Sequence, residues 1–385
     1  MEHRTRLLAA LSVLCAQAAL LAAPPHQPQS RLHTTLHINW VEEAPFPWTY
    51  NGGVVGRIGD HVVHIGGFGR QVPDRLKQKP GYFDGYHRLL AIWDVTNHRW
   101  EQAEPLFPGT ARAYANYATS DGRYAYVLGG QSYVAPYCFR DVYRLSRDAQ
   151  SWKWERLPDM LMDTADFDCV EVNGKLYVQG GANYDRTGPH LGWDSEVGGV
   201  GKHLEALDLS RLQEGWKRLP DMPGTHRSHH AVAAVKGKIY VLGGVASVGG
   251  KQARHWNNVD NWRYDTERGT WKQLRDLPFP CGGWSAKVFR DRYVLLFGGF
   301  YGRHVLALDG STREAYGCDE AAFSNRVLVY DTATDTFAEA TPMPKAVNDT
   351  RLVWLDDTTV ANITGEVPGG RIPCVFIGSM VEEHG

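Results

Sequence analysis

The chain has 385 residues, 43% of them hydrophobic, which is enough to bury a large core and excludes a chain that is disordered overall. Its 41 basic and 43 acidic residues leave a formal net charge of -2. That balance gives no bulk electrostatic basis for nucleic acid or an anionic membrane as partner.

Residues 1–23 read as a secretory signal peptide, with His3, Arg4 and Arg6 ahead of an apolar run from Leu7 that ends in small residues. Ala16-Gln17-Ala18 offers one cleavage site; Ala22 or Ala23 offers another, disfavoured by Pro24. Residues 24–33 form a Pro-rich linker. No later run approaches the roughly 18 apolar residues needed to span a bilayer. The expected mature protein is secreted or periplasmic, without a membrane anchor. It keeps Cys138, Cys169, Cys281, Cys318 and Cys374, an odd and scattered set that allows at most two disulfides.

The rest of the chain repeats one unit. In order, the copies are "GDHVVHIGGF", "DGRYAYVLGGQ", "NGKLYVQGGA", "KGKIYVLGGV", "RDRYVLLFGGF" and "DDTTVANITGE", each a polar turn followed by a strand rich in β-branched and aromatic residues. The first glycines of the five intact pairs, Gly66, Gly129, Gly180, Gly243 and Gly298, lie 51 to 63 residues apart. An apolar segment precedes each copy. A strand bearing Tyr or Asp follows it, and then a strand opened by Trp100, Trp152, Trp216, Trp271 or Phe337. Four short antiparallel strands per unit make one propeller blade. On these strands and glycine pairs the chain resembles the kelch-repeat family, whose period is about 50 residues. The resemblance implies an all-β, six-bladed kelch-type β-propeller.

The sixth copy is one strand short, because only "RIPCVFIGSM" follows it. The N-terminal "INWVEEAPFP" supplies the missing signature: Trp40 stands seven residues before Pro47, as Trp216 does before Pro223 and Trp271 before Pro278. The last blade is therefore expected to be closed by an N-terminal strand, which removes exposed sheet edges. A single domain over residues 34–381 follows.

Propeller loops surround a central channel and are where ligands are met. Residues of the loops after the Gly pairs and between blades that suit an acidic or hydroxylated ligand are Arg70, Arg112, Tyr133, Asn183, Arg227, Trp284 and Arg303. Tyr114, Asp166, Asp168, Asp349 and Arg351 share those inter-blade segments. The most distinctive stretch is "ITGEVPGGR". Counting from the preceding turn makes Thr364-Gly365 the counterpart of a Gly-Gly pair and Glu366 the first loop residue after it, the only charged residue at that place in the six copies. A carboxylate with Arg371 five residues on suits proton transfer, because its pKa can be tuned by burial and by a fixed cation. Arginine also adds a fork that binds a substrate carboxylate.

"GEVPGGR" is similar to the Gly-Glu-plus-Arg pattern of secreted bacterial kelch proteins that act as sialic acid mutarotases, also called N-acetylneuraminate epimerases. That resemblance implies an isomerase in which Glu366 is the acid/base that opens a sugar hemiketal and Arg371 binds the carboxylate or poises the glutamate. It implies a small-molecule sugar or glycan as partner. The other reading is a non-enzymatic module that binds protein or glycan through Tyr133, Tyr184, Trp284 and Tyr301. No cofactor is expected, and no metal: along a strand His229 and His230 of "HRSHH" point to opposite faces and lack a spaced partner.

Overall fold

Asn173-Gly174 illustrates how the strands are joined. Both residues have positive φ, 51° and 74°, and they form the two-residue loop between the paired ends Val172 and Lys175. Such turns match the right-handed twist of the strands they connect. The computed structural model describes residues 34–48, 50–69, 85–114, 122–149, 151–185, 192–249, 254–301, 304–306, 312–314, 323–367 and 370–381, all within the compact unit Leu32–Gly385. The expected signal peptide and linker lie outside the described residues, as do Arg70, Arg303 and Cys318.

The described chain is nearly all β, in a propeller-like arrangement of small sheets. Three are four-stranded antiparallel meanders, beginning at Val54–Ile58, Asp168–Val172 and Ala231–Val235. Tyr124–Leu128, Val142–Asp148 and Ser151–Leu157 form a three-stranded sheet. An eight-stranded sheet joins two further meanders, one starting at Cys281–Phe289 and one at Arg351–Trp354. Between them runs Thr34–Glu42, antiparallel to Gly370–Val381 from His37 opposite Val381 to Glu42 opposite Phe376. The same strand touches Thr336–Ala340 in parallel. Loops after the Gly pairs add a separate four-stranded sheet from Val245–Val248, Arg254–Asn257, His304–Leu306 and Thr312–Glu314.

The core lies between successive sheets. Val170, Val172 and Tyr177 pack on Val232, Ile239 and Val241, and Ala231, Ala233 and Leu242 on Trp284, Val294 and Leu296. One such cluster unites Val55, Val62 and Trp93 with Val353, Ala361 and Ile363, joining the early sheet to the late one. Outer-strand tryptophans bind the sheets edgewise: the indole N–H of Trp154 donates to Pro105 O, that of Trp216 to Pro158 O and that of Trp271 to Pro220 O, at 2.8–3.1 Å. Cys138, Cys169, Cys281 and Cys374 are buried thiols without a disulfide.

Candidate active site

The inner strands are preceded by residues held in the left-handed backbone region. Gly52, Tyr114, Asp166, His229, Gly283 and Asp349 have φ of 69°, 57°, 50°, 52°, 70° and 48°. Successive members are hydrogen-bonded: Tyr114 N donates to Gly52 O at 2.8 Å, Asp166 N to Tyr114 O at 3.1 Å, His229 N to Asp166 O at 2.8 Å, Gly283 N to His229 O at 2.7 Å and Asp349 N to Gly283 O at 3.0 Å. This chain of bonds gathers the ends of successive sheets around one axis. Four of its members carry polar or titratable side chains at a backbone conformation that glycine adopts freely and others at a cost.

Glu366 sits above this ring. Thr364 takes φ 56°, as the first glycines of the intact pairs do, but Gly365 is not left-handed. The strand Thr359–Val367 therefore continues past Thr364 with a register shift between Ile363 and Gly365. Glu366 is consequently not the first residue of a loop. It lies in a hairpin, directly opposite Arg371 on Gly370–Val381, and cross-strand partners share a face. The Arg371 guanidinium is 3.7 Å from the Glu366 carboxylate, donates through Nε to Asn51 Oδ1 and stacks over Phe68 at 4.6 Å. Glu366 also exchanges backbone hydrogen bonds with Asn348, 2.8 and 2.9 Å, which fixes it beside Asp349.

Burial, then the neighbouring Asp349 charge, raise the Glu366 carboxyl above its ordinary value, while Arg371, Asn348 and His229 oppose the rise. Asp166 is pushed well up by burial and by Asp349. His229 is pushed down by burial, against the pull of Asp349 and Glu366. Tyr114 is raised by burial, then by Asp349, Asp166 and Glu366. The bonded succession of Tyr114, Asp166, His229 and Asp349, and the Glu366–Asn348 backbone pair beside it, bring these five residues together. His229 Nε2 lies 3.4 Å from Asp166 Oδ2. The wall above is aromatic: Tyr133 to Tyr184 at 6.4 Å, Tyr184 to Trp193 at 4.8 Å, Trp193 to His229 at 5.9 Å and His229 to Phe300 at 6.4 Å between ring centres. Polar groups at the bottom and ring faces at the side suit a sugar.

The structure divides the remaining expected residues. Tyr133 is half-buried in the aromatic wall, and Asn183 is half-buried on the strand Asn183–Asp185, opposite Asp194. Arg112 and Arg227 are buried, 2% and 0% exposed. Arg112 pairs with Asp141 and donates to Gly129 O; Arg227 pairs with Asp260 and donates to Gly243 O. These guanidinium groups tie a loop to the first glycine of the next pair, and that placement speaks for scaffold rather than ligand contact. The repeated "PGTAR" and "PGTHR" ahead of Tyr114 and His229 are the signal of that shared task.

Trp284 lies elsewhere again. It lines a channel of about 1170 Å³ together with Asp168, Lys287 and Arg351. Within the channel, burial raises Asp168 to about 6. His230, unlike His229, turns inward, with Nε2 3.1 Å from Gln179 O. Among the described residues no cluster of three or more His, Cys, Asp or Glu could hold a metal ion. What composition could not flag is the left-handed ring itself. Its signal is spacing: each member stands 14 or 15 residues before the first glycine of its unit, or before Thr364 in the last.

Residues 195–306 match the family model described as N-acetylneuraminate epimerase. The chain is 27% identical over 202 residues to the N-acetylneuraminate epimerase of Yersinia enterocolitica, covering 47% of this chain and 51% of that protein. It is 29% identical over 105 residues to that of Vibrio cholerae, 27% of each chain. The matched stretch thus spans about half the length of the first relative. The family-model match includes His229 but not the Glu366 hairpin. A solved structure titled "Structure of YjhT" shares the fold, with TM-score 0.63 and 16% identity over 88% of this chain and 99% of that one. The chain is thus similar, over part of its length, to N-acetylneuraminate epimerases, and its fold is propeller-like.

Proposed function

We propose that the chain is a secreted or periplasmic sugar mutarotase that interconverts the anomers of an acidic sugar of the N-acetylneuraminate type, on a single six-bladed propeller over residues 34–381. The observation that carries this reading is the cross-strand pair Glu366–Arg371, 3.7 Å apart, above a polar ring and beside an aromatic wall. Six left-handed positions at near-constant spacing support the blade count. The relatives' names supply the substrate class.

In this reading the Glu366 carboxylate takes the proton of the anomeric hydroxyl as the ring C–O bond breaks, giving the open-chain ketone. Rotation about the former ring C–C bond next to the carbonyl carbon and reclosure on the other face, with the proton returned, give the other anomer. Arg371 holds the substrate carboxylate with the guanidinium nitrogens that Asn51 leaves open. The raised Glu366 carboxyl suits exchange in both directions. The inward-facing aromatic wall favours this reading over a docking module, since among the described residues the large apolar side chains that are exposed, Val41, Val134, Leu161 and Val381, form no aromatic surface.

The test is anomer exchange of N-acetylneuraminate followed by NMR, with wild type and Glu366→Gln. Acceleration by wild type and a loss of about 10²-fold or more in the variant is expected; no acceleration, or equal acceleration by both, refutes the mechanism. N-terminal sequencing of the exported protein tests the signal peptide, which predicts a start within residues 19–24.

A further inference from the structure

Resting on the mutarotase reading, we propose that His229, held by Asp166, is the second proton-transfer group of the reaction, facing Glu366 across the ring. Opening a hemiketal requires two proton movements: one off the anomeric hydroxyl and one onto the ring oxygen. Glu366 accounts for the first. Along the hydrogen-bonded ring, Asp166 and His229 are the third and fourth members, whereas Asp349 and Gly52, beside which Glu366 and Arg371 stand, are the last and the first. The two pairs therefore occupy opposite sides of the axis, so that a substrate bound on it lies between them.

The local geometry fits that task. Asp166 Oδ2 is buried and has no hydrogen-bond partner, although the His229 ring nitrogen stands 3.4 Å away, so the two atoms are poised around a proton without being locked together. Ser228 Oγ contacts the other ring nitrogen at 3.0 Å, which orients the imidazole. The His229 side chain is 19% exposed and that of Asp166 5%, so the histidine meets the cavity and the carboxyl lies behind it. Burial raises Asp166 and lowers His229, which favours the uncharged form of each. The other charged or titratable groups that act on the imidazole are Asp349, Glu366 and Arg351, with His230 and His255 nearby.

In the step, the bonding pair of the anomeric O–H becomes the carbonyl π bond while Glu366 takes the proton. The ring C–O pair leaves on the ring oxygen, which takes a proton from the Asp166–His229 pair. Afterwards Glu366 is protonated and the dyad has lost one proton; reclosure on the opposite face reverses both transfers, so the cycle is balanced.

The experiment is NMR anomer exchange with wild type, Glu366→Gln, His229→Asn and His229→Gly. Asparagine and glycine both tolerate the left-handed backbone, and retention of the wild-type urea midpoint checks the fold. We expect kcat to fall about 10²-fold in both His229 variants, with KM within about threefold, and added imidazole to restore rate to His229→Gly but not to Glu366→Gln. If wild type is active and Glu366→Gln impaired, but either His229 variant keeps kcat within about threefold or imidazole restores nothing, this inference falls while the mutarotase reading stands. If wild type does not accelerate exchange, both fall.

Discussion

Replacing Asp260 by alanine tests whether the arginine that precedes His229 is scaffold. Arg227 is fully buried and the Asp260 side chain is 5% exposed. The carboxylate also accepts from Thr225 Oγ1 at 2.9 Å and from Trp262 Nε1 at 2.7 Å. Removing it strands a buried cation and two donors, which costs about 3–5 kcal/mol when one partner of a buried pair is deleted. Arg227 still donates to the carbonyls of Thr225, Gly243 and Asp260, so the lower end, about 3 kcal/mol, is expected. At a slope of about 3 kcal/mol/M the urea midpoint drops by about 1 M, readable by tryptophan fluorescence. Asp141→Ala is the control: Arg112 likewise donates to two backbone carbonyls, Thr110 O and Gly129 O, but the Asp141 side chain is 19% exposed and water can replace it, so a loss nearer 1 kcal/mol is expected. Burial works to raise the Asp260 carboxyl, but Arg227, Trp262 and Thr225 outweigh it and the net shift is downward. Its contribution is therefore present above the unfolded value of about 4 and is lost as pH falls through the lower folded value. The gap between wild type and Asp260→Ala should narrow below pH 4. A loss under about 1 kcal/mol at pH 7, or an equal loss for Asp141→Ala, refutes the scaffold argument.

Arg371→Met removes the cation that opposes the rise of Glu366. At 3.7 Å and partly exposed, that interaction is worth about 1–2 kcal/mol, so the acid limb of the exchange rate should move up by about one pH unit, measured as a rate–pH profile. Asp168, raised to about 6, favours the folded state fully below the unfolded value of about 4 and loses that contribution as pH rises to 6. Between those values Tm should fall in wild type relative to Asp168→Asn, in a paired melting series. Thr364→Gly relieves about 1 kcal/mol of left-handed strain and removes a buried hydroxyl without a partner, so Tm should hold or rise. Gly298→Ala, whose Cβ would stand 2.4 Å from Val347 O, should lose about 2 kcal/mol or more.

The fold was readable where backbone geometry dictates residue type. Gly pairs at strand ends and two-residue turns such as Asn173-Gly174 carry positive φ, and strand alternation does the rest. The pairing of Thr34–Glu42 with Gly370–Val381 was legible too, because the aromatic-to-proline spacing at Trp40 repeats elsewhere. The site was legible only in part. The Glu366–Arg371 pair stood out as a charge in an otherwise uncharged place, but its setting in a hairpin rests on the pairing of Thr359–Val367 with Gly370–Val381, which a count of residues cannot reveal. Arg112 and Arg227 drew attention as charges in loops, whereas their carboxylate partners Asp141 and Asp260 lie 29 and 33 residues away. Tyr114, Asp166, His229 and Asp349 share a position but not a residue type, so composition hid what spacing held.

The ring argues for function through its own strain. Gly52 and Gly283 fill two of its positions without side chains, and at Gly283 a Cβ would collide with Asn348 Oδ1 at 1.9 Å. The hydrogen-bonded ring therefore asks nothing of a side chain, and glycine meets its backbone requirement at no steric cost. Tyrosine, aspartate, histidine and aspartate at the other four positions each carry about 1 kcal/mol of left-handed strain, and the two acids and the histidine also bear a desolvation cost. Strain and buried charge that the scaffold does not need, collected around one cavity with Glu366, are what a preorganised proton-transfer site contains. The same logic separates these residues from Arg112 and Arg227, whose charges are buried but fully answered by the scaffold that they hold.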